Sequence, residues 1–232
     1  MSEGSTNGHS PPRSVPHPTR PTHPTYAVNL VLSGQRCLVV GGGRIAARKA
    51  AGLLEAGARV VVVAPDAAAP LRDDDRVQWY ARPYQRGEVA AYRLAIAATG
   101  DPDVDGQVYR DAEAAGVLVN SADDPEHCRF TLPAVARRGD IQLTASTNGR
   151  SPALATWLRR RLEEVIDDDV LALLGLLADV RAELHRDGQT SDIAGWQEAL
   201  DDGLLDLVRS GDMDGARRQL EDQLGLSAGA HA

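Results

Sequence analysis

In the stretch LVVGGGRIAARKA, Gly41, Gly43 and Ala46 stand at the G-x-G-x-x-A spacing of a dinucleotide-binding turn between a strand and a helix. Each position has a physical reason. Gly41 permits the tight turn, Gly43 lets the backbone approach a pyrophosphate, and Ala46 allows a helix to lie close on a strand. The amide groups from Gly41 to Ile45, Arg44 included, would then hold the anion at the helix start. NAD is the cofactor this chemistry implies. Past the next apolar run, Pro65-Asp66 offers an acid to the ribose hydroxyls, or simply a turn cap. Seven arginines and one acid, Asp140, lie between Arg129 and Arg161 in a chain whose net charge is −8. That basic centre suits a small anionic ligand. For the run Arg159 to Arg161, a solvated helix face explains the charge as well.

These residues need a scaffold, and the hydrophobic pattern supplies one. Cys37 to Val40 reads as a strand, Ile45 to Ala56 as a helix stopped by Gly57, and Arg59 to Ala64 (RVVVVA) as a strand buried on both faces of a parallel sheet. The apolar run Tyr26 to Leu32 (YAVNLVL) reads as a further short strand turned by Ser33-Gly34. Val77 to Tyr80, Leu94 to Ala98 and Val117 to Val119 continue the sheet, with a helix over Asp103 to Ala115. Thr99 and Asn120 therefore fall at the carboxyl edge of the sheet, where doubly wound folds bind ligands. Beyond Asn120 the rhythm changes. Phe130 to Ala136 and Ile141 to Ala145 form a hairpin about Arg138-Gly139-Asp140, and Ser151-Pro152 opens a helix with Leu154, Trp157, Leu158, Leu162 and Val165 on one buried face. Helices at Val170 to Arg186, Ile193 to Arg209 and Met213 to Leu224 complete an α/β protein: a Rossmann-type parallel sheet, a hairpin, and a helical C-terminal domain. The expected divisions are a disordered tail at 1–25, an NAD-binding domain at 26–120, an active-site loop and hairpin at 121–150, and the helical domain at 151–232.

Composition narrows the classes. The acidic balance argues against general nucleic-acid binding. No window approaches the ~20 apolar residues that cross a bilayer, so no membrane partner is expected. The N-terminal MSEGSTNGHSPPRSVPHPTRPTHPT lacks the apolar core of a secretory signal. Cys37 and Cys128 are the only cysteines and form no C-x-x-C pair, which suits a reducing cytoplasm. No His, Cys and carboxylate cluster has metal-ligand spacing, so no resident metal is expected. The only lysine is Lys49, and so the Tyr-x-x-x-Lys pair of short-chain dehydrogenases is missing.

Four segments together, VVGGGRIAARKA, LAIAAT, VNSADDPEHCRF and ASTNGRSPALATWLRRRLEE, resemble the precorrin-2 dehydrogenase / sirohydrochlorin ferrochelatase domain of siroheme synthases. The likeness runs closely over about Tyr26 to Ile166. No sequence remains for the methyltransferase domain fused in some members, which points to a stand-alone form. The resemblance implies NAD-dependent oxidation of precorrin-2 to sirohydrochlorin and, in some members, insertion of ferrous iron. It makes Asp123, the acid of N-x-x-D, the catalytic residue. A carboxylate on a loop at the carboxyl end of a parallel sheet is also placed to take a proton while hydride leaves; the plainer role is loop capping with Asp124. Ser146 matches the family serine of the substrate site, though by itself it reads as a turn residue. Tetrapyrrole carboxylates suit the guanidinium forks of Arg129 and Arg150, with Asn120 beside them. His127, which the family does not use, reads as a solvent-facing loop residue. The family's homodimer interface falls on the hairpin and the Leu154, Trp157, Leu158 face, and packing against the chain's own tail competes with it. A Rossmann module that senses NAD without chemistry is the alternative function; it would have no need of Asp123.

Overall fold

The computed structural model describes residues 24–122, 124–188 and 193–226. The chain divides into two units, one from Tyr26 to Leu132 and one comprising Met1–Thr25 with Pro133–Ala232. The tail expected to be disordered lies, up to residue 23, outside the described residues.

In the first unit, β1 (Arg36–Val40), β2 (Arg59–Ala64), β3 (Val77–Ala81), β4 (Leu94–Ala97) and β5 (Leu118–Ser121) form one parallel sheet in the order β3-β2-β1-β4-β5. Helices α1 (Arg44–Glu55), α2 (Ala69–Arg72) and α3 (Pro102–Ala115) link the strands, with a 3-10 turn at Glu88–Ala91 between β3 and β4. The reversal of strand order falls between β1 and β4, so the carboxyl ends of these two strands flank the crevice where such folds take ligands. The valine run of β2 shows why the sheet needs cover on both faces. Val60, Val62 and Ala64 pack with Cys37, Val39, Ala46, Ala50 and Leu53, while Val61 and Val63 pack with Leu38, Val40, Val108, Ala112 and Val119. Side chains alternate across a strand, so one continuous apolar run feeds two cores. Helix α1 buries Ala46, Ala50 and Leu53 on one stripe and ends where Gly57 turns left-handed at φ 73°.

The run Tyr26 to Leu32 is not a strand. Tyr26 and Val31 are 91% and 86% exposed and only Leu32 is buried, followed by the expected Ser33-Gly34 turn. A strand needs a partner ladder, and both edges of β1 are already taken by β2 and β4. Four residues at Ala69–Arg72, unassigned from sequence, form α2.

The second unit begins with the hairpin β6 (Ala134–Arg138) and β7 (Ile141–Ala145), antiparallel about Gly139-Asp140 with Gly139 at φ 54°. β6 starts four residues later than expected, since Pro133 has no N–H for a ladder. Helix α4 (Pro152–Val165) is capped by Ser151 Oγ, which accepts from Leu154 N at 3.1 Å, and packs on the hairpin. Its apolar face is not buried: Leu154, Trp157 and Val165 are 47%, 52% and 59% exposed, and Leu158 and Leu162 are half-buried. The α5 (Asp168–Arg186), α6 (Ile193–Asp201), α7 (Leu204–Arg209) and α8 (Met213–Gln223) helices gather a separate core of Leu173, Leu176, Val180, Leu184, Ala199, Leu204, Val208, Ala216 and Leu220. The single helix expected from Ile193 to Arg209 is two, broken where Gly203 adopts φ 86°, a conformation a helix cannot continue through.

Candidate functional site

The glycine turn is wedged between two strand ends. Gly41 N donates to Val63 O at 3.0 Å; the residue sits at φ 120°, and a Cβ there would come 2.3 Å from Ala98 O. Gly42 is tighter still: its Cβ would lie 1.8 Å from Asp66 O and 2.9 Å from Ala67 Cα, and its own carbonyl accepts from Ala68 N at 2.8 Å. Gly42 occupies the variable position of G-x-G, which is why spacing did not single it out. Gly43 differs from both. Its backbone is extended and a Cβ there would meet nothing within 4 Å, so the space before it is open.

Gly43 is also the N-cap of α1. Helices α3, α4, α5 and α8 are each capped by a side chain, from Asp101, Ser151, Asp167 and Asp212 in turn, whereas α1 has no side-chain cap and no acid in its first turn. The first amides of a helix have no intrahelical acceptor. At α1 they are left to an external anion, with the helix dipole and the exposed Arg44 adding positive potential. A pyrophosphate fits this donor set. Ile45 is exposed beside them, and Ala46 is fully buried against the sheet.

Around the same carboxyl edge stand Pro65, Asp66, Thr99 and Asn120. Asp66 is exposed and its Oδ1 accepts from Ala67 N at 2.8 Å, a turn cap. Thr99 Oγ1 donates to Asp105 Oδ1 at 2.7 Å, tying the end of β4 to α3. Asn120, on β5, is 6% exposed. Its Nδ2 donates to Phe130 O at 2.9 Å and to Cys128 Sγ at 3.4 Å, while Oδ1 is buried without a hydrogen bond.

Asp123 lies outside the described residues. The residues on either side of it are tied by sulfur: Cys128 Sγ accepts from Ser121 N at 3.3 Å and is 3.3 Å from the carbonyls of Ser121 and Asp124. Nothing in sequence spacing marked Cys128 for this task. Asp124 caps the 3-10 turn Pro125–His127 through Glu126 N at 3.1 Å, and its other oxygen meets His127 Nδ1 at 2.6 Å. Partial burial pushes the Asp124 carboxyl up, but the bonds from His127 and Glu126 outweigh it and hold the carboxyl below its usual value. The His127 ring lies 4.6 Å from Tyr109. Arg129 spreads its fork on the Glu113 carboxylate and lies 5.5 Å over the Tyr109 ring. The pairing raises the Arg129 pKa and lowers that of Glu113. Its guanidinium is therefore already matched within the first unit.

Ser146 and Arg150 belong to the second unit, in the loop that follows β7. Both are exposed. Ser146 Oγ accepts from Asn148 N at 3.3 Å, and Asn148 takes φ 49° before Gly149, so the serine has its turn role. The structure thus brings Gly41, Gly43, Arg44, Ile45, Pro65, Asp66, Thr99 and Asn120 to one sheet edge and sets Arg129 on the loop beyond it. Among the described residues no three His, Cys, Asp or Glu side chains gather as metal ligands, and no helix is long and apolar enough to cross a membrane.

Residues 28–134 match a family described as "Putative NAD(P)-binding", and residues 138–164 match one described as "Sirohaem biosynthesis protein central". A siroheme synthase of Chromobacterium violaceum is 36% identical over 204 residues, covering 86% of this chain and 43% of its own length. That of Azotobacter vinelandii is 37% identical over 203 residues, covering 85% and 44%. The chain spans less than half the length of these curated relatives. A solved structure titled "SirC, precorrin-2 dehydrogenase" superposes with a TM-score of 0.67 at 26% identity, covering 85% of this chain and 100% of that one.

Proposed function

We propose, from its likeness to siroheme synthases over most of its length, that the chain oxidises precorrin-2 to sirohydrochlorin with NAD. The observation that carries the reading is the uncapped start of α1 behind an open Gly43, a donor set for pyrophosphate inside a domain similar to a precorrin-2 dehydrogenase. NAD supplies the hydride acceptor. The chain's own residues do the rest: Gly41 and Gly42 hold the turn, and the amides from Gly43 to Ile45 grip the diphosphate. The exposed acid Asp66, just past the end of β2, would repel a 2′-phosphate, which favours NAD over NADP. Asp123 takes the proton as hydride leaves.

The macrocycle's carboxylates are bound by Arg150, with a hydrogen bond from Ser146. Arg129, matched to Glu113, orders the loop instead. The two units correspond to a cofactor domain and a substrate domain in which the loop up to Leu132 goes with the cofactor. The exposed face of α4, Leu154, Trp157 and Val165, is the contact of a homodimer. Ferrous iron insertion into sirohydrochlorin is a second step open to such a site, with the pyrrole nitrogens as the metal's ligands. A cytoplasmic setting suits two cysteines that are not joined in a disulfide.

Mixing the protein with precorrin-2 and NAD is expected to produce NADH absorbance and the sirohydrochlorin spectrum, and Asp123→Ala to abolish both. NAD binding without turnover by the wild type would leave a sensor module in its place. Iron insertion is tested separately, with sirohydrochlorin and ferrous iron and no NAD.

A further inference from the structure

The amino end of the sheet, opposite the glycine turn, carries a second concentration of charge. Arg36 and Arg59 open β1 and β2 side by side in register. Arg93 precedes β4 and donates its backbone N–H to Arg36 O at 2.9 Å, and Arg76 precedes β3, whose first residue Val77 pairs with Val60. Four exposed arginines thus stand in a row across the starts of four adjacent strands, about 4.8 Å from one strand to the next, in a chain of net charge −8. Side-chain alternation sets Arg36 and Arg59 on the face of Leu38 and Val61, the face away from α1. Like charges so close repel one another, and only one of the four is answered by a carboxylate. Asp74 takes Arg76 Nε and Nη2 at 3.0 and 2.8 Å. Among the described residues Arg36, Arg59 and Arg93 have no ion pair.

Arg36, Arg59 and Arg76 line a pocket of about 420 Å³ with Gln78 and Tyr80 of β3, a volume within the range of small-molecule sites. Its donors are held in place. Arg36 lies 4.7 Å over the Tyr92 ring and donates through Nη2 to Tyr92 Oη at 3.5 Å, which steadies the guanidinium and leaves its other N–H groups to a ligand. Gln78 Nε2 donates to Tyr80 Oη at 2.7 Å, so the hydrogen of that phenol is left to donate in turn. The acids nearby are taken up: Asp73 by Arg72, Asp74 by Arg76 and Glu88 by Arg82, while Asp75 is not part of the lining. We propose that this pocket binds a small polyanion, a molecule with two or more adjacent phosphate or carboxylate groups. Forks on neighbouring strands each take one anionic group, one at Arg36 and one at Arg59, and Tyr80 Oη donates to an oxygen of the same ligand. Arg76 keeps Asp74 and Arg93 adds to the field from the next strand. The pocket lies about 16 Å from the glycine turn, the length of β1, so the polyanion and a dinucleotide occupy the unit together.

The test titrates the full chain with inorganic tripolyphosphate and, in a second arm, with citrate, by calorimetry at constant ionic strength, and follows the backbone amides by NMR. One anion is expected to bind per chain, with the shifted amides gathered around Arg36, Arg59, Gln78 and Tyr80. The tighter arm assigns the ligand class, a phosphate chain or a set of carboxylates. Arg59→Gln breaks no ion pair within the described residues, keeps the fold by circular dichroism, and lowers the affinity at least about tenfold. Arg93→Gln removes a charge from the same row but outside the pocket, and loses less. Heat in neither arm overturns the proposal, as do wild-type affinity in Arg59→Gln and shifts confined to the amides of Gly43 to Ile45. A loss in Arg93→Gln as large as that in Arg59→Gln also overturns it, since the row would then act only as a diffuse field.

Discussion

Alanine at Gly42 and alanine at Gly43 differ by one position and are expected to fail in opposite ways. At Gly42 the new methyl would start 1.8 Å from Asp66 O, where ordinary contact begins at 3.4 Å, so the turn and the end of β2 must part by about 1.6 Å. Both sides of the clash are backbone. The neighbouring Ala67 is 4% exposed and belongs to the same core as Ala64 and Leu71, so retreat opens a void there and strains the Ala68 N to Gly42 O bond. Overpacking of this kind costs about 3 kcal/mol or more, which at roughly 4–8 °C per kcal/mol for a unit of this size lowers its Tm by more than about 10 °C. At Gly43 the methyl enters open space. The fold then loses less than about 1 kcal/mol, the difference between glycine and alanine at an N-cap, while NAD affinity falls at least about tenfold because the diphosphate can no longer approach. Thermal unfolding by circular dichroism and NAD titration by calorimetry separate the two. Wild-type Tm in Gly42→Ala, or wild-type NAD affinity in a folded Gly43→Ala, would show the wedge argument to be wrong.

Two further substitutions probe the other parts. Asn120→Asp puts an oxygen where Nδ2 now donates to Phe130 O, and a buried carboxyl answers by raising its pKa. Its folded value then exceeds the unfolded one, so the penalty is absent at acid pH and grows as pH rises towards the folded value, reaching roughly 3–5 kcal/mol; urea midpoints at about pH 5 and about pH 8 should diverge between mutant and wild type, and a constant difference would refute this. Trp157→Glu changes a side chain 52% exposed in the single chain, so helicity stays as it is while sedimentation shifts from dimer to monomer. An unchanged sedimentation profile would remove α4 from the interface.

Local pattern carried most of the first unit. An unbroken RVVVVA has to be covered on both faces, and Ser151-Pro152 is a helix start whatever surrounds it. What sequence left out depends on partners distant in the chain. The strand reading of Tyr26 to Leu32 failed because β1 had no free edge to offer, a fact of topology. For Leu154, Trp157 and Val165 the pattern gave an apolar stripe but could not say whether a second copy or the chain's own tail covers it, and within the single chain it stays exposed. The break at Gly203 was a matter of weight: one glycine in an otherwise periodic stretch was read as tolerable, and its left-handed backbone made it a terminus. In the site, the turn residues followed from spacing. The tasks of Gly42, Cys128 and the His127 ring arise only when the carbonyl of Asp66, the backbone of Ser121 and the carboxylate of Asp124 arrive beside them.

Because the Gly41–Gly42 turn is braced by Ala98 on one side and Asp66 on the other, it has no existence in a partly folded chain. β1, α1 and β2 are close in sequence and can associate early, but the brace from the end of β4 closes a much longer loop, and such contacts form late in folding. A dinucleotide therefore has nothing to recognise until the central strands have all docked. Once it binds, opening any of them requires its release, so a ligand at a hundred times its Kd adds about 2.7 kcal/mol to the resistance of the whole sheet to unfolding. Proteolysis or hydrogen exchange in β2 and β4, distant from the diphosphate along the chain, is where that protection is to be read.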